Sequence, residues 1–168
     1  MFINVERVIF MEKIKVLIAD DIRNLAEHIE KIVLKNDKFE VIGIANNGQE
    51  ELDMIMNLQP EIVFTDNQMP IMNGLEVIEK IKNSDLENKP KFILVTSDTT
   101  KVLFNQCAEL DIISVIGKPI SNDRIYQILD EIEDMKGVPV PNVNREHKIE
   151  RKHSFLTKLF KKQRRKLK

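Results

Sequence analysis

The stretch Glu61-Ile-Val-Phe-Thr-Asp-Asn-Gln-Met-Pro70, followed by Ile71-Met-Asn-Gly74, decides the fold. Four apolar or β-branched residues, 62–65, run directly into Asp66, and turn-forming residues follow. This pattern predicts a buried parallel strand that ends next to a carboxylate. In open α/β sheets the carboxyl ends of the strands form the edge where ligands bind. A strand that simply ends in a turn-forming Asp has the same sequence pattern. The pattern therefore indicates a binding site only if other reactive residues lie at the same edge.

Strands and helices are predicted to alternate along the rest of the chain. Short apolar runs predict four further strands over 15–19, 39–45, 92–96 and 112–116. Helical spacing of apolar residues predicts helices over 23–35, 50–58, 75–81, 101–109 and 122–135, and Asn46-Asn47-Gly48 is expected to open the second of them. The result is (βα)5, a five-stranded parallel sheet covered on both faces. Right-handed crossovers favour a doubly wound sheet with the flavodoxin-like order 2-1-3-4-5.

Length and composition indicate one soluble globular domain with an appendage. The chain has 168 residues, of which 42% are hydrophobic and 32% charged, as is ordinary for globular proteins. No apolar run approaches the roughly 18 residues that a membrane span requires. The single cysteine, Cys107, excludes an internal disulfide framework. We therefore expect a cytoplasmic protein. Residues 1–12 are predicted to be an N-terminal extension, with Met11 as a second candidate for the start.

Charge divides the chain into an acidic body and a basic tail. Residues 1–144 contain 15 Lys and Arg against 25 Asp and Glu, a net charge of −10. Residues 145–168 contain 11 Lys and Arg against 2 Glu, a net charge of +9. The Pro- and Val-rich residues 137–144 predict a semi-rigid linker between them. The predicted domains are therefore a body over 13–136, this linker and the tail.

The tail is too short for an independent DNA-binding domain of roughly 50 residues. A solvated, disordered segment is one interpretation of residues 145–168. Alternatively, its apolar residues lie approximately on one face of a helix that binds an anionic membrane, or a protein, including the acidic body itself. Non-specific binding to nucleic acid is the third alternative. The apolar residues are Ile149, Leu156, Leu159, Phe160 and Leu167.

Four predicted strands bring reactive side chains to the same edge of the sheet. Asp20-Asp21, Asp66, Thr96 and Lys118 each stand at or just beyond a strand end. Crowded carboxylates repel one another unless a cation is bound, and oxygen-only ligands suit Mg²⁺ rather than zinc. A neighbouring hydroxyl and ammonium can hold the oxygens of a phosphoryl group. The central carboxylate, Asp66, is placed to accept that group as an acyl phosphate.

These residues resemble the receiver domain of two-component response regulators, over about residues 13–136. Thr96 lies 30 residues after Asp66, and Lys118 lies 22 after Thr96, which is the spacing usual in that family. The matching motifs are Ile18-Ala-Asp-Asp21, Phe64-Thr-Asp-Asn-Gln-Met-Pro70 with Gly74, Val95-Thr-Ser97 and Lys118-Pro119.

The resemblance implies a role for each matched residue. Asp20 and Asp21 are expected on the Mg²⁺ side of the site. Asp66 is expected to be both phosphoacceptor and metal ligand, and Gln68 to offer its backbone carbonyl to the metal. Thr96 is expected to bond a phosphoryl oxygen.

The end of the fifth strand carries both a match and a departure. The resemblance implies that Lys118 pairs with the phosphate and that the Lys118–Pro119 peptide bond is cis. Val115 departs from the pattern, because the family usually has Tyr or Phe three residues before the lysine. Switching by an aromatic rotamer is therefore not expected, and signalling would depend on movements of loops and helices.

The resemblance implies a signalling switch rather than an enzyme. A histidine kinase or phosphotransfer protein would phosphorylate Asp66 and so change binding to a downstream protein or drive dimerisation. The alternative is a non-phosphorylated pseudo-receiver, an interaction module whose basic tail binds membrane or nucleic acid. A haloacid-dehalogenase-like phosphatase is disfavoured, since Gln68 stands where that class has its second Asp.

Deletion of residues 145–168 tests the membrane interpretation of the tail. We expect the truncated chain to accept phosphate normally but to lose binding to anionic liposomes, because about 1 kcal/mol per basic residue is removed. Liposome co-sedimentation measures this, with neutral liposomes as the control. Binding that survives the deletion would exclude the tail as a membrane anchor.

Overall fold

The computed structural model describes residues 12–98 and 100–137, in which five strands and five helices alternate. The strands are β1 (Ile14–Ala19), β2 (Phe39–Ala45), β3 (Ile62–Asp66), β4 (Lys91–Thr96) and β5 (Ser114–Gly117). The helices are α1 (Arg23–Val33), α2 (Gly48–Leu58), α3 (Gly74–Lys82), α4 (Lys101–Glu109) and α5 (Asn122–Gly137).

The strands form one parallel sheet in the order β2-β1-β3-β4-β5. This confirms the predicted flavodoxin-like (βα)5 fold. The order reverses direction between β1 and β3, so the crevice at the carboxyl ends of these two strands is the topological switch point. All five residues of β3 are buried, as expected for the central strand of a covered sheet.

Both faces of the sheet are covered by helices. Leu17, Val63 and Leu94 belong to one buried cluster with apolar residues of α2, α3 and α4. The residues on either side of each of these three are also buried, and the two-residue period of a strand turns them to the opposite face. The beginning of α5 contacts α1, since His28 Nε2 of α1 is 2.8 Å from Oδ1 of Asn122, the first residue of α5.

Some predicted boundaries were wrong by a few residues, for local reasons. Helix α2 begins at Gly48, in the stretch expected to open it, because the side chain of Asn47 caps it by accepting a hydrogen bond from Glu50 N. Strand β5 begins at Ser114 rather than at residue 112. Asp111 adopts a left-handed backbone with φ of 61°, so the chain turns immediately before the strand, although the next residue is apolar and buried.

The chain divides after Glu131 into two compact units, and the described part of the second is the end of α5, Ile132–Gly137. Nearly all of the predicted N-terminal extension, and the linker and tail beyond Gly137, lie outside the described residues. Within the described part of the chain, no helix combines the length and apolar character needed to cross a membrane.

Glu51 of α2 is a fully buried carboxyl group. Its Oε2 accepts a hydrogen bond of 2.9 Å from the hydroxyl of Thr65 on β3, and its Oε1 has no partner within the described residues. Burial raises the pKa of Glu51 from 4.5 to about 8, although the Thr65 hydrogen bond opposes the change. The side chain is therefore mostly protonated at neutral pH.

This carboxyl group makes stability depend on pH. In the folded chain Glu51 keeps a proton that the unfolded chain loses above about pH 4.5, so stability should fall as the pH rises towards about 8 and then level off. At about 1.4 kcal/mol per pKa unit, the loss is at most about 5 kcal/mol. Glu51→Gln, which is neutral at every pH, should lack this contribution.

Urea unfolding at about pH 5.5 and about pH 9 measures the difference. We expect the free energy of unfolding of Glu51→Gln, relative to the wild type, to be higher at the higher pH than at the lower one. Glu87→Gln, at an exposed position, should show the same pH dependence of stability as the wild type. The same pH dependence in Glu51→Gln and wild type would contradict a buried, protonated Glu51.

Candidate functional site

The strand register brings the predicted site residues to one edge of the sheet. Ala19 of β1 pairs with Thr65 of β3, so the next residues, Asp20 and Asp66, are neighbours. Asp66 pairs with Val95 of β4, which places Thr96 just beyond it. Thr96 in turn pairs with Gly117 of β5, directly before Lys118.

Three aspartates form a compact oxygen cluster at this edge. Asp20, Asp21 and Asp66 each offer a carboxylate oxygen, and these three atoms lie within 4.8 Å of one another. Asp20 and Asp66 are buried, with 1% and 2% of their surface exposed, whereas Asp21 is exposed. The cluster therefore has a buried base and a side open to solvent.

Lys118 forms ion pairs with both buried carboxylates. Its Nζ lies 2.7 Å from Asp66 Oδ2 and 3.3 Å from Asp20 Oδ2. Burial by itself lowers the pKa of this ammonium, but the hydrogen bond and charge of Asp66, together with Asp20, outweigh burial and raise it. The pKa of Asp20 is raised, chiefly by burial and also by the nearby charge of Asp66, against the opposing effect of Lys118. The cluster is thus short of positive charge.

Backbone amides orient the buried carboxylates. Ile22 N donates to Asp20 Oδ1 at 2.8 Å, and Gln68 N donates to Asp66 Oδ1 at 3.1 Å. Each bond spans two residues, the Asx-turn geometry typical of Asp at the end of a strand. Ile22, and not an aspartate, is the N-cap of α1, so capping of this helix does not account for the acidic pair.

Thr96 and Lys118 lie at the same edge of the sheet as the aspartates, and their predicted roles toward a phosphoryl group stay predictions. Thr96 is buried, and its Oγ1 accepts a hydrogen bond of 3.0 Å from Asp98 N. Because the hydroxyl acts as an acceptor in this bond, its hydrogen is available for another group. The Lys118–Pro119 peptide bond is cis, as the resemblance implies.

The oxygen cluster fits a divalent metal. It provides only oxygen ligands, and among the described residues its three carboxylates are paired with the ammonium of Lys118. Oxygen ligands of this kind, with space left for water on the open side, are those that Mg²⁺ prefers. Gln68 follows Asp66 by two residues and is exposed; that its backbone carbonyl is a ligand remains a prediction.

Val115, at the position where the resemblance expects an aromatic residue, is half-buried. It packs against the apolar cluster beneath α2, α3 and α4, which includes its strand partner Leu94. The branched side chain has few rotamers in a strand. The structure is therefore compatible with the prediction that this position does not switch between buried and exposed orientations.

Comparison with known proteins identifies the family. Residues 16–130 match the family described as the response regulator receiver domain. The chain belongs to this family. A receiver domain implies a histidine kinase as its partner. The three aspartates of this chain are typical of the Mg²⁺ site in such domains.

Two curated relatives that share one description match most of this chain. The chain is 35% identical over 127 residues to a protein-glutamate methylesterase/protein-glutamine glutaminase of Geobacillus kaustophilus, covering 73% of this chain and 35% of the relative. A protein of the same description from Bacillus licheniformis is 34% identical over 123 residues, covering 70% of this chain and 33% of the relative. The chain thus spans about a third of the length of these relatives.

Three solved structures share the fold, each with a TM-score of 0.66. The response regulator domain of Thermotoga maritima CheB is 22% identical, covering 77% of this chain and 100% of that one. The N-terminal domain of an uncharacterized protein from Wolinella succinogenes is 27% identical, with coverages of 73% and 96%. The CheX–CheY–BeF3–Mg²⁺ complex from Borrelia burgdorferi is 23% identical, with coverages of 72% and 90%.

Sequence reasoning missed two contacts next to the site. The buried Glu51–Thr65 hydrogen bond lies directly before Asp66, and the amide of Asp98 holds the hydroxyl of Thr96. Glu51 lies within an amphipathic helix rich in acidic residues, so its position gave no sign that it is buried. The Asp98 contact uses a backbone atom, which residue type does not reveal.

Replacement of Lys118 tests the charge balance of the cluster. Lys118→Met should destabilise the chain by roughly 3 kcal/mol at neutral pH, because two buried carboxylates lose their counter-charge. The deficit should shrink as the pH falls, because Asp20, whose pKa is raised by burial, then loses its charge. Chemical unfolding at about pH 7.5 and about pH 4.5 measures both effects.

Lys31→Met, at an exposed position on α1, is the matched control and should change stability by less than about 0.5 kcal/mol. If the deficit of Lys118→Met were the same at both pH values, lost packing rather than lost charge would be its cause.

Proposed function

We propose that this receiver domain is a phosphorylation switch in which Asp66 accepts a phosphoryl group in a Mg²⁺-dependent reaction. One observation carries the proposal. The buried Asp66 carboxylate lies 2.7 Å from the Lys118 ammonium and within 4.8 Å of two further aspartates, at the edge of the sheet. That arrangement combines a nucleophile with fixed positive charge and with a site for a metal.

The donor is a phosphohistidine of a histidine kinase or phosphotransfer protein. A carboxylate oxygen of Asp66 attacks phosphorus, forming a P–O bond while the P–N bond to imidazole breaks. The imidazole nitrogen keeps the electron pair of the broken bond and takes up a proton. The product is an acyl phosphate, the mixed anhydride expected when a carboxylate acts as nucleophile.

The chain's own residues orient the reactants. The Gln68 amide holds Asp66 Oδ1, which leaves the carboxylate only restricted freedom to rotate. The Lys118 ammonium, already beside Asp66 Oδ2, would pair with the charge that arrives with the phosphoryl oxygens. Thr96 would donate its free hydroxyl hydrogen to one of these oxygens.

The Mg²⁺ ion would be held by Asp20, Asp21 and Asp66, with the backbone carbonyl of Gln68. When bound, it supplies positive charge that offsets the repulsion between the carboxylates and the phosphoryl oxygens. The Borrelia burgdorferi complex described above contains Mg²⁺, which supports this choice of metal.

The output is a change in protein binding, not metabolic catalysis. Phosphorylation shifts the equilibrium between two surface conformations, and a partner or a second copy of the chain binds one of them more tightly. With the stiff Val115 packed against the core, this shift proceeds through the loops at the edge of the sheet and the helices attached to them.

Intact-mass spectrometry after incubation with acetyl phosphate tests the proposal. The wild type should gain one phosphoryl adduct that requires Mg²⁺ and is removed by hydroxylamine, which cleaves acyl phosphates. Asp66→Asn should gain none. Asp85→Asn, at an exposed aspartate far along the sequence, is the matched control and should behave as the wild type.

A receiver domain of known activity, treated in parallel, shows that the conditions are adequate. Absence of an adduct on the wild type under those conditions would reject the switch in favour of an unphosphorylated interaction module. An adduct that persists in Asp66→Asn would reject Asp66 as the acceptor.

A further inference from the structure

Ile71 is an exposed apolar residue in a strained backbone conformation. It lies in the loop between β3 and α3, its φ is 72°, and 77% of its surface is exposed. Left-handed backbone is costly for L-residues, and most of all for β-branched ones, whereas Gly and Asn adopt it more readily. Burial in the core cannot account for an isoleucine at this position, so another use for its side chain must be sought.

The loop holds Ile71 firmly outward. Pro70 O, just before it, accepts hydrogen bonds from Met72 N at 2.8 Å and from Gly48 N at 3.4 Å. Gly48 begins α2, and any side chain there would overlap the carbonyl of Met72. The first turn of α2 therefore packs directly on the loop, which fixes the backbone of Ile71 and leaves its side chain exposed.

Two surface grooves meet at Ile71. A groove of about 510 Å³ runs along α2 and includes Met54 and Leu58. A second groove, of about 580 Å³, runs along α3 and includes Met72. Leu58 is 43% exposed, so the apolar surface continues from Ile71 onto α2. We call the residues that line both grooves the Ile71 face.

The rim of the Ile71 face is acidic. Glu50 and Asp53 line the groove on α2, and Glu76 and Glu79 line the groove on α3. Lys80 is the one cationic residue among the residues lining these two grooves. Four carboxylates around an apolar strip select against an anionic surface and for a cationic partner.

We propose that the Ile71 face is a docking site for a cationic amphipathic helix of a partner protein. The apolar side of the helix would lie on Ile71 and Leu58, and its Lys and Arg side chains would reach the acidic rim. Recognition of this kind places an apolar helix stripe in a groove between two helices. The inference goes beyond the proposed phosphorylation, because the two grooves contain none of the aspartates of the oxygen cluster.

A fluorescently labelled Leu/Lys peptide of about 14 residues, roughly four helical turns with leucines on one face, is the probe. Its anisotropy is measured against the full-length wild type, with a Leu/Glu peptide of the same pattern as the charge control. We expect the Leu/Lys peptide to bind, the Leu/Glu peptide not to bind, and added salt to weaken the binding.

Ile71→Asn separates docking from folding. Asn removes the apolar anchor but tolerates left-handed backbone, so its unfolding midpoint should equal or exceed that of the wild type. The dissociation constant should rise roughly tenfold, the loss typical of one central apolar anchor. Val102→Asn makes the same change at a residue of α4 that is 68% exposed, and should leave binding unchanged.

Charge reversal tests the acidic rim. Asp53→Lys and Glu79→Lys should each weaken binding several-fold, whereas Asp130→Lys, an exposed position on α5, should not. Failure of the Leu/Lys peptide to bind, or equal binding by face and control variants, would overturn the proposal. All variants should still accept phosphate from acetyl phosphate, so failure here is distinguishable from failure of the switch.

Discussion

Two buried carboxylates, Asp20 and Asp66, share the ammonium of Lys118, whose side chain is 20% exposed. They come from different strands, and Lys118 comes from the end of a third, so the ion pairs exist only when β1, β3 and β5 are assembled with β4 between the last two. Such a cluster is costly when incomplete, because an unpaired buried charge loses hydration without compensation. The order and register of the sheet thereby determine the electrostatics of its carboxyl edge.

The opposite side of β3 is arranged to support that edge. Thr65, whose side chain alternates with that of Asp66 along the strand, bonds the buried Glu51 of α2. Gly74 begins α3 so close to this point that a Cβ would lie 2.5 Å from Asp66 O. Close approach of both helices leaves the β3–α3 loop little freedom. Asp66, the proposed phosphoacceptor, stands directly before that loop, and Ile71 lies within it.

Much of the fold could be predicted because its signals are local. The apolar runs of buried parallel strands and the helical spacing between them follow from which side chains can be removed from water. Alternation of the two elements then restricts the topology, since crossovers are right-handed. The predicted start of β5 was wrong because Ile112 is buried although it lies outside the strand. Periodicity does not distinguish an apolar turn residue from a strand residue. Glu51 was missed because residue type alone places a glutamate in solvent.

The sequence by itself determined which chemical groups occupy the site and at what spacing: the acidic pair, Asp66, Thr96 and Lys118. Each stands at a strand end, and parallel strands bring those ends together. Only the tertiary structure decided that Asp20 and Asp66 are buried while Asp21 is exposed, and that Lys118 lies between the buried two. It likewise decided that Glu51 is protonated and that Ile71 is held in left-handed backbone. Burial, desolvation and backbone strain arise from contacts between residues far apart in the chain, and local patterns carry no record of those contacts.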